Sequence, residues 1–130
     1  MKIAQTPLKF LIVQDSTLSA IELECVLEEL GHRVAAAAVT PDAAKARLQS
    51  IHHDIDAVIF DGMQMGLPAY DLARDMARLD VPSAVTSDFP EAFVRVLGFD
   101  QPYLAKPYRA EDVARFASLM KPRAAATVAA

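Results

Sequence analysis

Five short apolar segments alternate along this sequence with segments of helical periodicity. Strands that alternate with helices indicate a parallel sheet with helices on both faces, because parallel neighbours need a crossover connection. The predicted strands lie at about 8–14, 33–39, 57–60, 82–86 and 102–105. A length of 130 residues suits one such domain and leaves no room for a second.

Capping residues mark both ends of the first helix and the start of the second. Ser16 or Thr17 is the predicted N-cap of the first helix, and Gly31 suits the left-handed residue that ends it. Thr40 and Pro41 are predicted to cap and open the second helix. The alanine-rich segment between these two signals has helical propensity, but its position predicts a strand.

The later helices have weaker signals. Pro68 is predicted to open a third helix that runs to about Leu79, and a short helix is predicted near 90–97. The last helix is predicted from Arg109 or Ala110 to Met120, where apolar residues recur at helical spacing.

Composition and charge argue against several classes of function. The formal net charge is −4 and the 13 Lys and Arg residues are scattered, which argues against direct DNA binding. No apolar run approaches the roughly 20 residues that a membrane-spanning helix needs. Cys25 is the only cysteine, which excludes an internal disulfide and fits a reducing, cytoplasmic location. Its apolar neighbours predict that its side chain is buried.

The three histidines lack the spacing of a zinc site. His32 follows the helix-ending Gly31, and His52 and His53 lie in a charged segment after the second helix. No predicted helix carries two of them four residues apart. We therefore expect all three to be exposed, which argues against a metal-dependent hydrolase.

Charged residues follow three of the predicted strands. Asp15 and Asp61 follow the first and third strands, and Lys106 follows the fifth. Because the carboxyl ends of parallel strands meet at one edge of a sheet, we expect the two carboxylates and the ammonium group to converge on one crevice.

Four segments, taken in order, resemble the receiver domain of two-component response regulators over residues 8–120. They are Phe10-Leu11-Ile12-Val13-Gln14-Asp15, Ala57-Val58-Ile59-Phe60-Asp61 with Gly66 five residues on, Ala84-Val85-Thr86-Ser87, and Tyr103-Leu104-Ala105-Lys106-Pro107-Tyr108. The resemblance implies a flavodoxin-like (βα)5 three-layer sandwich, whose five-stranded parallel sheet has the order 2-1-3-4-5. We expect a stand-alone receiver domain at 8–120, an N-terminal extension at 1–7 and a flexible tail at 121–130.

The resemblance implies a role for each residue at the strand ends. Asp61 is expected to accept a phosphoryl group from the phosphohistidine of a sensor histidine kinase or a phosphotransfer protein. Mg²⁺ is the implied cofactor, held by Asp15, Asp61 and the backbone carbonyl of Met63. Lys106 and the Thr86 hydroxyl are expected to contact the phosphoryl oxygens.

Two tyrosines are candidates for signalling through protein contacts. Tyr103 occupies the aromatic switch position of the family, and Tyr108 is a second candidate contact residue. The interval 86–106 is slightly short for the family, which predicts an abbreviated fourth helix. Phe93 and Phe99 in this interval are predicted to pack in the core.

Three positions depart from the usual pattern of receivers. Gln14 stands where a second acid normally acts on the metal through water, so we expect weaker Mg²⁺ binding without loss of phosphorylation. Met63 stands where a polar residue is usual and cannot orient a water, which suggests slow hydrolysis of an acyl phosphate. Met65 stands where receivers usually have proline, which occurs here at Pro68.

The predicted function is a phosphorylation-controlled relay that is not itself an enzyme and signals to an unidentified downstream protein. We expect a monomer or weak homodimer that contacts neither DNA nor membranes. Gln14 and Met63 leave one alternative open, a degenerate receiver that binds partners without phosphorylation. A flavodoxin-like cofactor binder is a weaker alternative, because no glycine between Gln14 and Ala20 permits close approach to a phosphate.

Overall fold

The computed structural model describes residues 6–123. The strands in this region are β1 (Lys9–Val13), β2 (Arg33–Ala38), β3 (Ala57–Asp61), β4 (Met63–Gln64), β5 (Leu67–Pro68), β6 (Ser83–Ser87) and β7 (Tyr103–Ala105). The helices are α1 (Thr17–Glu29), α2 (Pro41–Ile51), α3 (Tyr70–Arg78), α4 (Glu91–Val96) and α5 (Ala110–Ser118).

Five of the strands form one parallel sheet in the order β2-β1-β3-β6-β7. The two-residue strands β4 and β5 form a separate antiparallel hairpin. When the hairpin is left out of the numbering, the sheet order is the predicted 2-1-3-4-5. The predicted flavodoxin-like fold is therefore confirmed, and so is the alanine-rich strand β2 at the sheet edge.

The core has two apolar layers, one on each face of the sheet. Alternate residues of a strand point to opposite faces, so Leu11 and Val13 of β1 lie in one layer and Phe10 and Ile12 in the other. The first layer packs against α2, α3 and α4, and the second packs against α1 and α5. These four apolar residues of β1 are fully buried, as the unbroken apolar runs predicted.

Helix α1 begins as predicted, but it buries a narrower stripe than its apolar residues suggested. Ser16 Oγ caps the helix by accepting a hydrogen bond from the Ser19 backbone N–H at 3.1 Å. Leu23 and Leu27 face the sheet and are fully buried, whereas Cys25 is exposed. The prediction of a buried Cys25 was wrong because a residue two positions from each buried leucine lies on the opposite side of a helix.

The third helix does not begin at Pro68. Residues 63–68 form the hairpin, in which Gln64 pairs with Leu67 across a two-residue turn. Met65 and Gly66 both have positive φ, at 52° and 80°, as a type I′ hairpin turn requires. The hairpin delays the start of α3 to Tyr70.

Helix α4 has six residues, which confirms the predicted abbreviation. Phe99 is buried as predicted. Phe93 is 38% exposed and packs beside the exposed Phe89, so its predicted core position was wrong. A helix of fewer than two turns offers the core few positions, and in α4 Val94 is the buried residue.

The prediction that all three histidines are exposed was wrong for His32 and only partly correct for His52. This side chain is buried, and its Nδ1 accepts a hydrogen bond from the Leu8 backbone N–H at 3.1 Å. Burial lowers the pKa of His32, although the nearby Asp56 carboxylate opposes this shift. His53 is exposed and His52 is half-buried, with their rings 3.8 Å apart.

The two predicted terminal segments lie partly outside the described residues. Residues 1–5 of the expected N-terminal extension and residues 124–130 of the expected tail lie outside the described residues. The start of the expected tail has contacts with the domain: the Arg123 backbone N–H donates to Asp56 Oδ1 at 2.6 Å, and its guanidinium donates to the carbonyls of His52 and Ile55. Between residues 6 and 123, no helix has the length and apolar character to cross a membrane.

Candidate functional site

The ends of four neighbouring strands bring the predicted site residues together. Asp61 is the last residue of β3, Thr86 lies in β6, Lys106 follows β7, and Asp15 lies two residues beyond β1. Because these strands are parallel, their carboxyl ends meet at one edge of the sheet. The predicted convergence of Asp15, Asp61 and Lys106 on one crevice is therefore observed.

The Asp61 carboxylate is buried and has three hydrogen-bond donors. Lys106 Nζ lies 2.8 Å from Asp61 Oδ1, and the Thr86 hydroxyl donates to the same oxygen at 2.5 Å. The Asp15 backbone N–H donates to Asp61 Oδ2 at 2.6 Å. Both carboxylate oxygens are thus oriented by groups from other strand ends.

Asp15 and Lys106 differ in their access to solvent. Lys106 Nζ also lies 3.5 Å from Asp15 Oδ1, so it bridges the two carboxylates. The Lys106 side chain is only 10% exposed, whereas that of Asp15 is 45% exposed. Asp15 is therefore the carboxylate that faces incoming solutes.

Burial and ion pairing act in opposite directions on the two buried charges. Burial raises the pKa of Asp61, and the donors Lys106, Thr86 and the Asp15 N–H pull it back only in part. Burial alone would lower the pKa of Lys106, but the hydrogen bond and charge of Asp61 outweigh it and raise that pKa. Lys106 therefore keeps its positive charge beside Asp61 at neutral pH.

A small cavity of about 60 Å³ opens beside these groups. Its walls are Asp15, Asp61, Met63, Thr86, Ser87, Asp88, Phe89 and Lys106. The two carboxylates are hard oxygen donors, and Mg²⁺ is commonly bound by one or two carboxylates with waters completing its shell. The chemistry of this donor set fits Mg²⁺.

Sequence reasoning missed Asp88 as part of the cavity wall. The available signal was its position directly after the end of the fourth parallel strand, where Ser87 is the last residue of β6. The wall also includes Met63, whose side chain is partly buried.

Gln14 is fully buried and does not line this cavity. Its amide oxygen accepts hydrogen bonds from the hydroxyls of Ser19 and Tyr108. Its amide nitrogen donates to the Val13 carbonyl at 3.0 Å and lies 3.5 Å from Thr86 Oγ1. The position expected to act on a metal through water is occupied here by a side chain whose amide is engaged within the protein.

The two candidate tyrosines lie in different surroundings. Tyr103 is half-buried, and its hydroxyl donates to the Phe89 carbonyl at 2.6 Å. Tyr108 reaches inward to Gln14, and burial raises the pKa of its hydroxyl to about 12. Tyr103 therefore contacts the segment between β6 and α4, whereas Tyr108 contacts the end of β1.

No protein-family model and no curated protein matches this sequence. Solved structures do match. The response regulator PhyR from Brucella abortus is 24% identical with a TM-score of 0.74, and the match covers 88% of this chain and 47% of that one. SdrG from Sphingomonas melonis Fr1 is 29% identical with a TM-score of 0.73, covering 86% of this chain and 94% of that one.

A third match is the signal receiver domain of a modulated diguanylate cyclase from Desulfovibrio desulfuricans G20. It is 28% identical with a TM-score of 0.72, and the match covers 88% of this chain and 93% of that domain. The chain spans about half the length of the PhyR structure and nearly the whole of the other two. Its described residues have the fold of the receiver domains of response regulators.

Proposed function

We propose that this chain is a phosphoryl-accepting receiver that takes a phosphoryl group onto Asp61 from a phosphohistidine on a sensor histidine kinase or phosphotransfer protein. The observation that carries the proposal is the buried Asp61 carboxylate, with the Lys106 ammonium at 2.8 Å and the Thr86 hydroxyl at 2.5 Å beside a small cavity. The receiver fold of the structural neighbours supports it.

The chemical step needs a nucleophile and groups that neutralise charge. A carboxylate oxygen of Asp61 bonds to phosphorus while the nitrogen–phosphorus bond breaks, and the imidazole nitrogen keeps that electron pair and takes up a proton. The product on this chain is an acyl phosphate. Lys106 and Thr86 adjoin the cavity where the phosphoryl oxygens would lie, so their contribution is positioning and charge neutralisation.

Mg²⁺ would be held by Asp15, Asp61 and the backbone carbonyl of Met63. When bound, the ion neutralises charge on the phosphoryl oxygens. Gln14 supplies no negative charge where an acid is usual, so we expect binding to be weaker by about 10-fold to 100-fold than with the acid.

We expect a phosphoryl donor to approach the cavity beside the first helix. A wider opening of about 460 Å³ adjoins the site, and its walls include Asp15, Leu18, Lys106 and Pro107. Leu18 is 67% exposed, so this rim presents apolar surface to a protein donor.

The proposed role is that of a signalling domain, not of an enzyme. We expect it to act in the cytoplasm as a monomer or weak homodimer and to signal by binding a downstream protein. Tyr103 is the candidate switch residue for that signal.

Incubation with acetyl phosphate and Mg²⁺, followed by intact-protein mass spectrometry, tests the proposal. We expect the mass of one phosphoryl group to be added, and we expect chelation of Mg²⁺ or the change Asp61→Asn to abolish the addition. Asp71→Asn is the matched control, because Asp71 lies on an exposed surface of α3. An unmodified wild-type protein, or an adduct that survives Asp61→Asn, would contradict the proposal.

A phosphorylation-independent adaptor is the second candidate function. The observation in its favour is that Asp61 already has three donors from the protein itself, while Gln14 is neutral and fully engaged. Incubation with acetyl phosphate also distinguishes the two functions, because an adaptor would stay unmodified. An adaptor would also bind its partner equally well after Asp61→Asn.

A flavodoxin-like cofactor binder has less support. The connection between β1 and α1 contains no glycine, and Ser16 already occupies one of the free N–H groups at the start of α1. A colourless purified protein would contradict flavin binding.

A further inference from the structure

The buried Gln14 side chain joins the end of β1 to three other parts of the site. Its amide oxygen accepts hydrogen bonds from Ser19 in α1, at 3.1 Å, and from Tyr108 after β7. Its amide nitrogen donates to the Val13 carbonyl at 3.0 Å and faces Thr86 Oγ1 at 3.5 Å. The amide oxygen therefore has two hydrogen-bond donors, and the amide nitrogen has two acceptors within 3.5 Å.

These partners fix which way the amide faces. A main-chain carbonyl can only accept a hydrogen bond, so the atom of Gln14 next to the Val13 carbonyl must be the nitrogen. The same nitrogen then directs its second N–H towards Thr86 Oγ1. The Thr86 hydroxyl hydrogen is left to donate to Asp61 Oδ1, where the distance is 2.5 Å.

An acid at position 14 would act differently. A glutamate has nearly the same shape, but it would present an oxygen to Thr86 in place of an N–H. That oxygen would compete with Asp61 for the hydroxyl hydrogen of Thr86. The neutral residue at this position thus decides which carboxylate receives the Thr86 hydrogen bond.

Tyr108 supports this arrangement from the other side. Its hydroxyl donates to the Gln14 amide oxygen, which also accepts from the Ser19 hydroxyl. Because burial raises the pKa of Tyr108 to about 12, the hydroxyl keeps its proton at neutral pH and remains a donor. Tyr108 is two residues from Lys106, so the contact also links the lysine-bearing segment to β1.

We propose that Gln14 and Tyr108 are positioning residues that direct the Thr86 hydroxyl onto Asp61. Neither lines the cavity beside Asp61, so Gln14 acts through Thr86 and Tyr108 acts through Gln14. The consequence for phosphoryl transfer rests on the proposed function. The hydrogen-bond arrangement itself belongs to the unmodified protein and can be tested without phosphorylation.

The kinetic test is the rate of phosphorylation by acetyl phosphate, measured as a function of Mg²⁺ concentration. Tyr108→Phe removes one hydroxyl, and we expect the maximal rate to fall about threefold to tenfold with an unchanged half-saturating Mg²⁺ concentration. Gln14→Glu is expected to lower both the half-saturating concentration, through its added charge, and the maximal rate. Tyr70→Phe is the control, because the Tyr70 hydroxyl donates to the Leu97 carbonyl, outside this cluster.

The combined variant separates a shared role from two unrelated ones. If Gln14 and Tyr108 act together on Thr86, the loss in the Gln14→Glu, Tyr108→Phe double variant will be smaller than the product of the single losses. A maximal rate for Tyr108→Phe within about twofold of that for Tyr70→Phe would overturn the proposal.

A second measurement uses the unmodified, metal-free protein. In NMR spectra, the Gln14 side-chain amide hydrogens are expected to exchange with solvent at least about tenfold more slowly than those of the exposed Gln49, and Tyr108→Phe or Ser19→Ala should speed that exchange. Equal exchange at the two glutamines would overturn the positioning role. Slow exchange at Gln14 in a protein that acetyl phosphate fails to modify would instead contradict the proposed function alone.

Discussion

At the scale of single residues, the site depends on which groups are charged and which are neutral. Lys106 lies 2.8 Å from Asp61 and 3.5 Å from Asp15, so one cation serves two carboxylates. The neutral Gln14 adds no charge, and the Thr86 hydroxyl is left to donate its hydrogen bond to Asp61.

Asp15, Asp61 and Lys106 could be predicted to meet because each lies at the carboxyl end of a parallel strand. The contact between Gln14 and Tyr108 could not, because 94 positions separate the two residues.

A substitution at Met63 tests whether the cavity wall controls how long an acyl phosphate on Asp61 survives. Met63 is one of the residues that line the cavity, and its side chain cannot hydrogen-bond a water in the way an amide can. We expect Met63→Asn to shorten the half-life of the phosphoryl group several-fold, measured by the decay of the phosphorylated mass after removal of acetyl phosphate. Met65→Asn is the control because Met65 is 74% exposed and outside that cavity. Equal half-lives for Met63→Asn and wild type would contradict the hypothesis.

His32 makes a pH-dependent contribution to stability. Burial lowers its pKa below the ordinary value of 6.5, so the unfolded chain takes up a proton at this residue more readily than the folded one. The contribution is therefore complete above about pH 6.5 and declines as the pH falls through that value. Denaturant unfolding at several pH values should show this decline in the free energy of unfolding.

Two histidine variants make the test specific. His32→Asn keeps an acceptor near the Leu8 N–H but cannot titrate, so its free energy of unfolding should fall less between about pH 7.5 and 5.5. His53→Asn, at an exposed position, should change the slope less than His32→Asn does, although loss of the His53 charge also acts on the neighbouring His52. A wild-type slope in His32→Asn would show that the buried histidine is not the source.

At the scale of elements, caps and strand positions were predictable, and the exceptions have local causes. Ser16 and Thr40 cap α1 and α2 as predicted, because side-chain caps depend on neighbours in sequence. The alanine-rich β2 is a strand because it hydrogen-bonds to β1, and this tertiary pairing overrides helical propensity. Pro68 gave a helix-start signal, yet it lies in the hairpin that Met65 and Gly66 close.

The hairpin gives a prediction about stability. Gly66 has a φ of 80°, and no atom outside its immediate neighbours lies within 4 Å of the position that a Cβ would occupy. Gly66→Ala should therefore lower the free energy of unfolding by about 1 kcal/mol through backbone conformation alone. Met65→Asn, at the other left-handed position of the turn, should be neutral or slightly stabilising in the same denaturant titration. A neutral Gly66→Ala would contradict the assignment of the turn.

At the scale of the whole molecule, the parallel sheet converts distant segments into one site. The cavity beside Asp61 combines residues that follow or end β1, β3, β6 and β7, and the order β2-β1-β3-β6-β7 makes those four strands adjacent. The alternation of apolar segments and helices was enough to predict this architecture. The exposure of side chains such as Cys25 and Phe93 depended on how each helix is rotated against the sheet, which one sequence alone does not determine.

Locating the acceptor residue tests the central claim most directly. After treatment with acetyl phosphate and Mg²⁺, borohydride reduces an aspartyl phosphate to homoserine, and peptide mass spectrometry identifies the position that has changed. We expect homoserine at residue 61, in wild type and in the Asp71→Asn control. Homoserine at Asp15 or Asp88, or none at any aspartate of a protein shown to be folded, would contradict the account.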